Sequence, residues 1–290
     1  MSAISPSAVP SFRGRIGRDA RSGYYAAARR YRLHLSVSCP QSLRIAVTHS
    51  LLGLGDGLPV TLLPAVPDGP DGGHRLLRPL YEASSHQYPG PAAAPVLHDT
   101  WTGRIVSTHT PDILRDLVRQ FGAGDPDLLP HGAEEAIGGV DRLCEEMGRA
   151  AQRAGLPGTD QEARDAALAT LLEGLEALER RLALQDHMAG DELTLADVHV
   201  WATLLQLDTV HRHHLDAAAV HRITGHPRLW AYARGLAAHP AFGSHLDLDG
   251  IARRHHARCR GEEAAGAAVQ IVDWAAYARR TAPEPVRQPG

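Results

Sequence analysis

An α/β unit followed by an all-helical one is the fold class the sequence predicts, on three observations. A short stretch of alternating hydrophobicity, Leu33 to Val37, runs into Cys39-Pro40 and then into a helical pattern. Short strand-like and helix-like segments then alternate as far as Gly122. Beyond a Gly/Asp/Pro-rich linker at 122–130, apolar residues recur every three or four positions almost throughout.

Residues 1–23 are rich in Ser, Pro, Gly and Arg, with only Phe12 and Ile16 to bury, which predicts an arm lying on the body. Leu33, Leu35 and Val37 oppose His34, Ser36 and Ser38 at period two, the pattern of a strand with one buried face. Pro40 suits the first position of a helix, where its missing N–H has no partner to lose. That helix carries Leu43, Ala46, Val47, Ser50, Leu51 and Leu54 at helical spacing and stops at Gly53, Gly55 and Gly57. Leu58 to Val66 reads as a second strand with prolines at its margins, and Leu76 to Ala83 as a short helix. Ala94 to Asp99 and Arg104 to Ser107 form a hairpin around Trp101-Thr102-Gly103, and a helix opens near Thr108 to Pro111. Strand, helix, strand, hairpin, helix is the order of a thioredoxin-like unit.

The second half begins with two bundle helices, Glu134 to Ala151 and Glu162 to Leu184, the latter carrying Leu168, Leu171, Leu172, Leu175, Leu178 and Leu182. Within Gly190 to Asp197, Thr194 and Asp197 are spaced to cap a helix start reciprocally, with Val198, Trp201, Leu204 and Leu205 behind them as a buried face. Arg228 to Tyr232 begins a further helix, and 261–290 thins into a tail around Trp274.

Composition narrows the function classes. A net charge of -3 and a pI near 6.6 give no electrostatic reason to expect nucleic acid or an anionic membrane as partner. All 30 basic residues are arginine, and there is no asparagine, which reads as the codon bias of a GC-rich genome. Three scattered cysteines, Cys39, Cys144 and Cys259, are too few for a disulfide framework, and no apolar run approaches a membrane span or a signal segment. A cytoplasmic setting is the default expectation.

Cys39 is the candidate reactive atom. At a strand-to-helix turn it meets unpaired N–H groups and the positive end of the helix dipole, which favour a thiolate over a thiol. The local pattern is Cys39-Pro40-Gln41-Ser42, with no second thiol to close an internal disulfide, so any mixed disulfide needs an outside thiol to resolve it. Cys144 on an apolar helix face and Cys259 near the tail read as inert.

A family resemblance runs nearly end to end. It is carried by Phe12-Arg13 to Ile16, Tyr31 to Pro40, Leu77 to Tyr81, Ala94 to Asp99, Gly103 to Val106 and Asp112 to Arg115. It continues through Ala154-Gly155, Gly190 to Asp197, Asp208 to His214, Pro227 to Tyr232 and Asp273-Trp274. In these segments the chain resembles the glutathionyl-hydroquinone reductases, the Xi class of glutathione transferases. The resemblance implies a thioredoxin-like domain at 24–122 that binds glutathione and an all-helical glutathione-transferase domain at 131–260 that binds a quinone-like aromatic. It also implies a homodimer, and a cysteine that attacks the sulfur of a glutathionyl-hydroquinone and is freed by a second glutathione. On this sequence Cys39 becomes the nucleophile. Arg44, Ala94, Pro95, His109 and Thr110 line the thiol site, with Ala94-Pro95 as the cis bond of the fold. Gln41, Gln152, His211, His255 and His256 face the second substrate.

Departures from the family pattern cluster at the thiol site. Gln41 and Leu43 stand where the family has tryptophan and histidine, while Arg44 remains, and His109-Thr110 replaces Glu-Ser. Thr110 can still bond a carboxylate, but His109 cannot supply the negative charge that pairs an ammonium. Two chemistries stay open. The thiol has kept its role with a different low-molecular-weight thiol or a new aromatic client, such as a polycyclic quinone of a biosynthetic pathway; or histidines act as acid/base groups in a fold that has left glutathione behind. A non-catalytic binding protein would account for the replacements but not for the retained Cys39-Pro40. Of the 18 histidines, His211-Arg212-His213-His214 and His255-His256 are the dense clusters. The spacing of the first is not the i, i+4 pair that puts two imidazoles on one helical face, and no metal is expected.

Overall fold

A computed structural model describes residues 9–122, 125–259 and 270–278. Residues 1–8 of the expected arm, 123–124 of the linker, and 261–269 and 279–290 of the expected tail lie outside the described residues. The chain divides into two compact units, 1–126 and 127–290.

The first unit is built on a four-stranded sheet, β1 (Tyr31–Leu35), β2 (Val60–Leu62), β3 (Val96–Asp99) and β4 (Arg104–Ser107), in the order β2-β1-β3-β4. β1 runs parallel to β2 and antiparallel to β3, which is antiparallel to β4. Its helices are α1 (Pro40–Leu51), α2 (Arg78–Ser84) and α3 (Thr110–Asp116). β2 is shorter than its apolar run, because Pro59 and Pro64 bracket it and neither can donate to a ladder. The Ala94–Pro95 bond is cis, as is Asp125–Pro126.

β1 departs from the one-faced strand its alternation predicts. Leu33 and Leu35 are fully buried, but His34 is buried as well, at 7% exposure. Residues directly opposite on paired strands share a face, so the register puts His34 with Val96, and His98 with Arg32 and Ile105. Val96 and Ile105 pack with Tyr81 of α2 in one apolar cluster. α2 therefore covers the face that carries His34. His34 Nε2 lies 3.5 Å from His98 Nδ1, and burial, together with the charges of His98 and Arg32, pushes His34 down to about 4. It is a neutral core imidazole at physiological pH.

The arm is stitched onto this unit. Gly14 N–H donates to Val106 O at 2.8 Å and Thr108 N–H to Phe12 O at 3.0 Å, while Phe12 packs against both Tyr81 and Tyr88. A Cβ on Gly14 would sit 2.6 Å from Val106 O, so only glycine lets the two backbones approach this closely. Arg30 forms a two-pronged bond to buried Asp99, at 2.9 and 3.1 Å, beneath the rings of Tyr25 and Trp101.

The second unit is helical among the described residues: α4 (Glu134–Ala154), α5 (Gln161–Arg181), α6 (Leu195–Thr209), α7 (Ala217–Thr224), α8 (Pro227–Ala238), α9 (Pro240–Gly243), α10 (Leu248–Cys259) and α11 (Ala275–Ala278). α4 packs along α5 and α6. Gly174 lies so near Met147 that a Cβ there would fall 2.5 Å from its Cγ. α6 is buried on nearly every side, with Trp201 against Phe242 and Trp274.

The start of α6 forms the reciprocal cap the spacing predicts. Thr194 N–H donates to Asp197 Oδ2 at 2.5 Å and the Thr194 side chain accepts from the first turn. The other carboxylate oxygen accepts from Met188 N–H at 2.7 Å and from the Tyr232 hydroxyl. At the other end of α6, Asp208 accepts from the backbone N–H groups of Ile271 and Val272 and from the indole of Trp274, at 2.9–3.0 Å. Trp274 is wholly buried, so this part of the expected tail belongs to the core.

Candidate functional site

Cys39 sits where the strand-to-helix reading puts it, and the loop that delivers it is clipped at two points. Ser36 Oγ–H donates to Pro64 O at 2.9 Å and Ser38 Oγ–H to Ala65 O at 2.7 Å. Cys39 N–H donates to Ser36 O, and Cys39 O accepts from Leu43 N–H as the first bond of α1. Cys39 is thus the N-cap of α1, with extended φ and ψ of -96° and 128° and Pro40 at the first helical position. No side chain caps this end, so the first N–H groups of a 12-residue helix, its positive pole, have no side-chain acceptor from the cap residue.

Cys39 is 7% exposed, and its thiol donates to Gln41 Oε1 at 2.8 Å. The amide of Gln41 offers an acceptor at one atom and two donors at the other. In the orientation seen it holds a thiol; turned over, it would donate N–H to a thiolate.

Strand register places the other thiol-site candidates of this unit. β1 ends at Leu35, β3 begins at Val96 opposite His34, and β4 ends at Ser107 opposite Leu97. The turns holding Cys39, cis Pro95 and His109-Thr110 therefore leave the same end of the sheet. Ala94 is partly buried against the Tyr81 cluster. Arg44 is buried within α1, and Thr110 is buried at the start of α3.

His109 carries a neighbour that sequence spacing passes over. Its Nδ1 lies 3.0 Å from Asp112 Oδ2, the oxygen that accepts from Arg13 Nε at 2.7 Å. Arg15 reaches Asp112 and Asp116, and Ile16 N–H donates to Asp116. Burial pushes the Asp112 carboxyl up, but the Arg13 bond and the charges of His109, Arg13 and Arg15 outweigh it and hold Asp112 below the usual carboxylate range. A carboxylate does stand beside His109, already shared among three cationic or ionisable partners. The Asp–His spacing of three residues on a helix was the available signal.

In the second unit the structure separates the candidate substrate residues. Gln152 is exposed near the end of α4, and His256 is exposed on α10. His255 is buried, at 6% exposure, with its ring stacked on His213 and edge-on to His214. His211 lies in the same turn, His211–His214, and burial followed by the charges of His214 and His255 pushes it down to about 4. Cys259, expected to be inert, joins this group: its Sγ is 3.4 Å from His214 Nε2 and 3.3 Å from His255 Nδ1. His255 and Cys259 are an i, i+4 pair, the spacing that the 211–214 run lacks. Cys144 is buried in the apolar face of α4.

A thiol at the first strand-to-helix turn of a thioredoxin-like unit, followed by a helical unit with a capped central helix, defines a protein of the glutathione-transferase type. Residues 161–235 match the model of the glutathione S-transferase C-terminal domain. A glutathione transferase from Gordonia bronchialis is 30% identical, covering 85% of this chain and 82% of its own, with a TM-score of 0.75. The glutathionyl-hydroquinone reductase YqjG of Escherichia coli is 27% identical over 84% of this chain and 80% of its own. The glutathione-bound structure of YqjG superposes with a TM-score of 0.77, covering 90% and 94% of the two chains. The Xi glutathione transferase of Phanerochaete chrysosporium is 26% identical, covering 86% and 87%, with a TM-score of 0.74. The chain belongs to the glutathione transferase family, and its similarity to relatives of the Xi, or glutathionyl-hydroquinone reductase, class runs over most of its length.

Proposed function

We propose that this enzyme reduces thioether conjugates of hydroquinone-type aromatics, with Cys39 as the nucleophile and glutathione as the co-substrate. The Cys39 thiolate attacks the sulfur that joins glutathione to the ring. An S–S bond forms and the C–S bond breaks, its electron pair going to the ring carbon, which takes a proton as the free hydroquinone leaves. A second glutathione thiolate attacks the mixed disulfide, releasing oxidised glutathione and the Cys39 thiolate. The ring carbon is reduced and two glutathione sulfurs are oxidised.

The observation that carries this reading is the position of Cys39, a buried sulfur at an otherwise uncapped helix start and the sole cysteine of its unit. With no resolving thiol at hand, the intermediate has to wait for an outside thiol. The names of the relatives, and the glutathione bound to one of them, support the choice of co-substrate. Ala94 supplies backbone groups to the cysteinyl part of that thiol beside cis Pro95, Thr110 supplies a hydroxyl to its carboxylate, and Arg44 supports α1.

The test is turnover of a glutathionyl-benzohydroquinone with glutathione, reading free hydroquinone and oxidised glutathione. Wild type releases the two in equal amounts, and Cys39→Ala loses at least about 10³-fold in rate. Full turnover by the variant would overturn the thiol mechanism.

A second reading has its own support at Asp112. The carboxylate that could pair the ammonium of a γ-glutamyl group is already engaged by Arg13 and His109. A low-molecular-weight thiol without that ammonium, or acid/base chemistry through His109, would suit this arrangement better. Turnover that survives Cys39→Ala but fails in His109→Ala would select the acid/base form.

A further inference from the structure

We propose that His214, His255 and Cys259 form a metal site in the second unit, a Cys-His-His set for a borderline-soft divalent cation such as zinc. Their three ligand atoms lie within 4.8 Å of one another, and the sulfur is 3.4 Å from His214 Nε2 and 3.3 Å from His255 Nδ1. Ligand atoms about 2.0–2.3 Å from a tetrahedral centre are themselves about 3.3–3.6 Å apart, so the two separations match the edges of a zinc tetrahedron. One thiolate and two imidazoles suit zinc, whereas calcium and magnesium demand oxygen.

The fold brings the set together by ordinary means. His255 and Cys259 lie one turn apart on the same face of α10, and His214 arrives from the short turn that closes α6. That turn is braced on both sides. Arg212 donates to the backbone and side chain of Asp208, at 2.9 and 3.1 Å. Gly155 backs so closely onto His214 that a Cβ there would fall 2.5 Å from the His214 Cβ. The His213 ring stacks on His255 and fixes its plane. Supports of this kind orient ligands in metal sites. Three protein ligands leave one position of a tetrahedron open to water or a substrate atom.

The rival is a plain hydrogen-bonded cluster, with the thiol donating to one imidazole and accepting from the other. Cobalt(II) separates the two. The full-length, untagged chain, reduced and stripped by chelator, is titrated with cobalt(II) under anaerobic conditions. The expected result is one equivalent bound, with a thiolate-to-cobalt charge-transfer band, tetrahedral visible bands, and displacement of the cobalt by zinc. Cys259→Ser abolishes the charge-transfer band and weakens zinc on the order of 100-fold or more, since even outer supports of a metal site cost 10–100-fold. Cys39→Ser leaves band and affinity as in wild type. His214→Gln, checked for helicity by circular dichroism, weakens zinc to a similar degree. X-ray absorption of the wild-type zinc complex, which depends on no variant, shows one sulfur and two imidazoles. Absence of the band, its survival in Cys259→Ser, its loss in Cys39→Ser, or a different sulfur count would overturn the site.

Discussion

Two helix starts in this molecule solve the same electrostatic problem in opposite ways. Each begins with free N–H groups and a positive pole. At α6 these are closed off: Thr194 and Asp197 cap the first turn reciprocally, and Asp197 also takes bonds from Met188 and Tyr232. At α1 the cap position is given to Cys39, whose side chain bonds no backbone N–H. One end is closed by side chains, and the other is left without a side-chain cap. The difference bears on the proposed role of Cys39, because the uncapped start is the one at which a cysteine stands.

The contrast predicts a division of labour between the two ends. Cys39→Ala should lose at least about 10³-fold in turnover while changing stability in denaturant by less than about 1 kcal/mol. Asp197→Ala should do the reverse, losing about 3 kcal/mol or more, because several buried donors lose their acceptor at once. Each folded Asp197→Ala molecule should keep its rate. If the two variants had similar effects on rate and stability, the contrast would be void.

The closed end also has a pH signature. Burial pushes the Asp197 carboxyl up, but nearby His187 and the bonds from Met188, Tyr232 and Thr194 outweigh it and hold it below its ordinary value of 3.8. Its contribution is thus present above pH 3.8 and drains away as the pH falls through the depressed value. His187, raised by the Asp197 carboxylate 3.6 Å away against the effect of burial, contributes fully below its ordinary 6.5 and loses that share as the pH climbs through the raised value. Denaturant melts across this range should show both slopes. His187→Ala should remove the neutral-side slope and keep most of the acid one.

Smaller effects test the loop and the cap. Ser38→Ala removes the bond to Ala65 O and should cost about 1 kcal/mol, with a drop in turnover larger than that of a distant surface change. Thr194→Ala should cost about 1 kcal/mol with no change in turnover. Equal turnover for the two would mean that the clip on the Cys39 loop positions nothing.

What the sequence shows and what it hides follow from the range of the interactions. Cys39-Pro40, the glycines after α1, Ala94-Pro95 and the Thr194–Asp197 spacing are local patterns, and each has its structural counterpart in place. The second face of β1 was not legible, because His34 is covered by α2, some 45 residues away in the chain. Asp112 escaped notice because its partners Arg13 and Arg15 sit in an arm about 100 residues earlier. Cys259 read as inert because His214 reaches it from another helix, although its own i, i+4 partner His255 was visible. The fold rests on periodicity, which a sequence displays; the sites rest on encounters, which it does not.

Asp208 ties the completion of the second unit to the timing of synthesis. Its carboxylate gathers Ile271, Val272 and Trp274, from 63 to 66 residues downstream. While the chain is being made, α6 therefore emerges with an acid that has Arg212 beside it but lacks three of its donors, which have yet to be translated. Trp274 has to be translated before all three of these bonds can form. A polypeptide halted before residue 271 would lack all three, leaving Asp208 with its local partner Arg212.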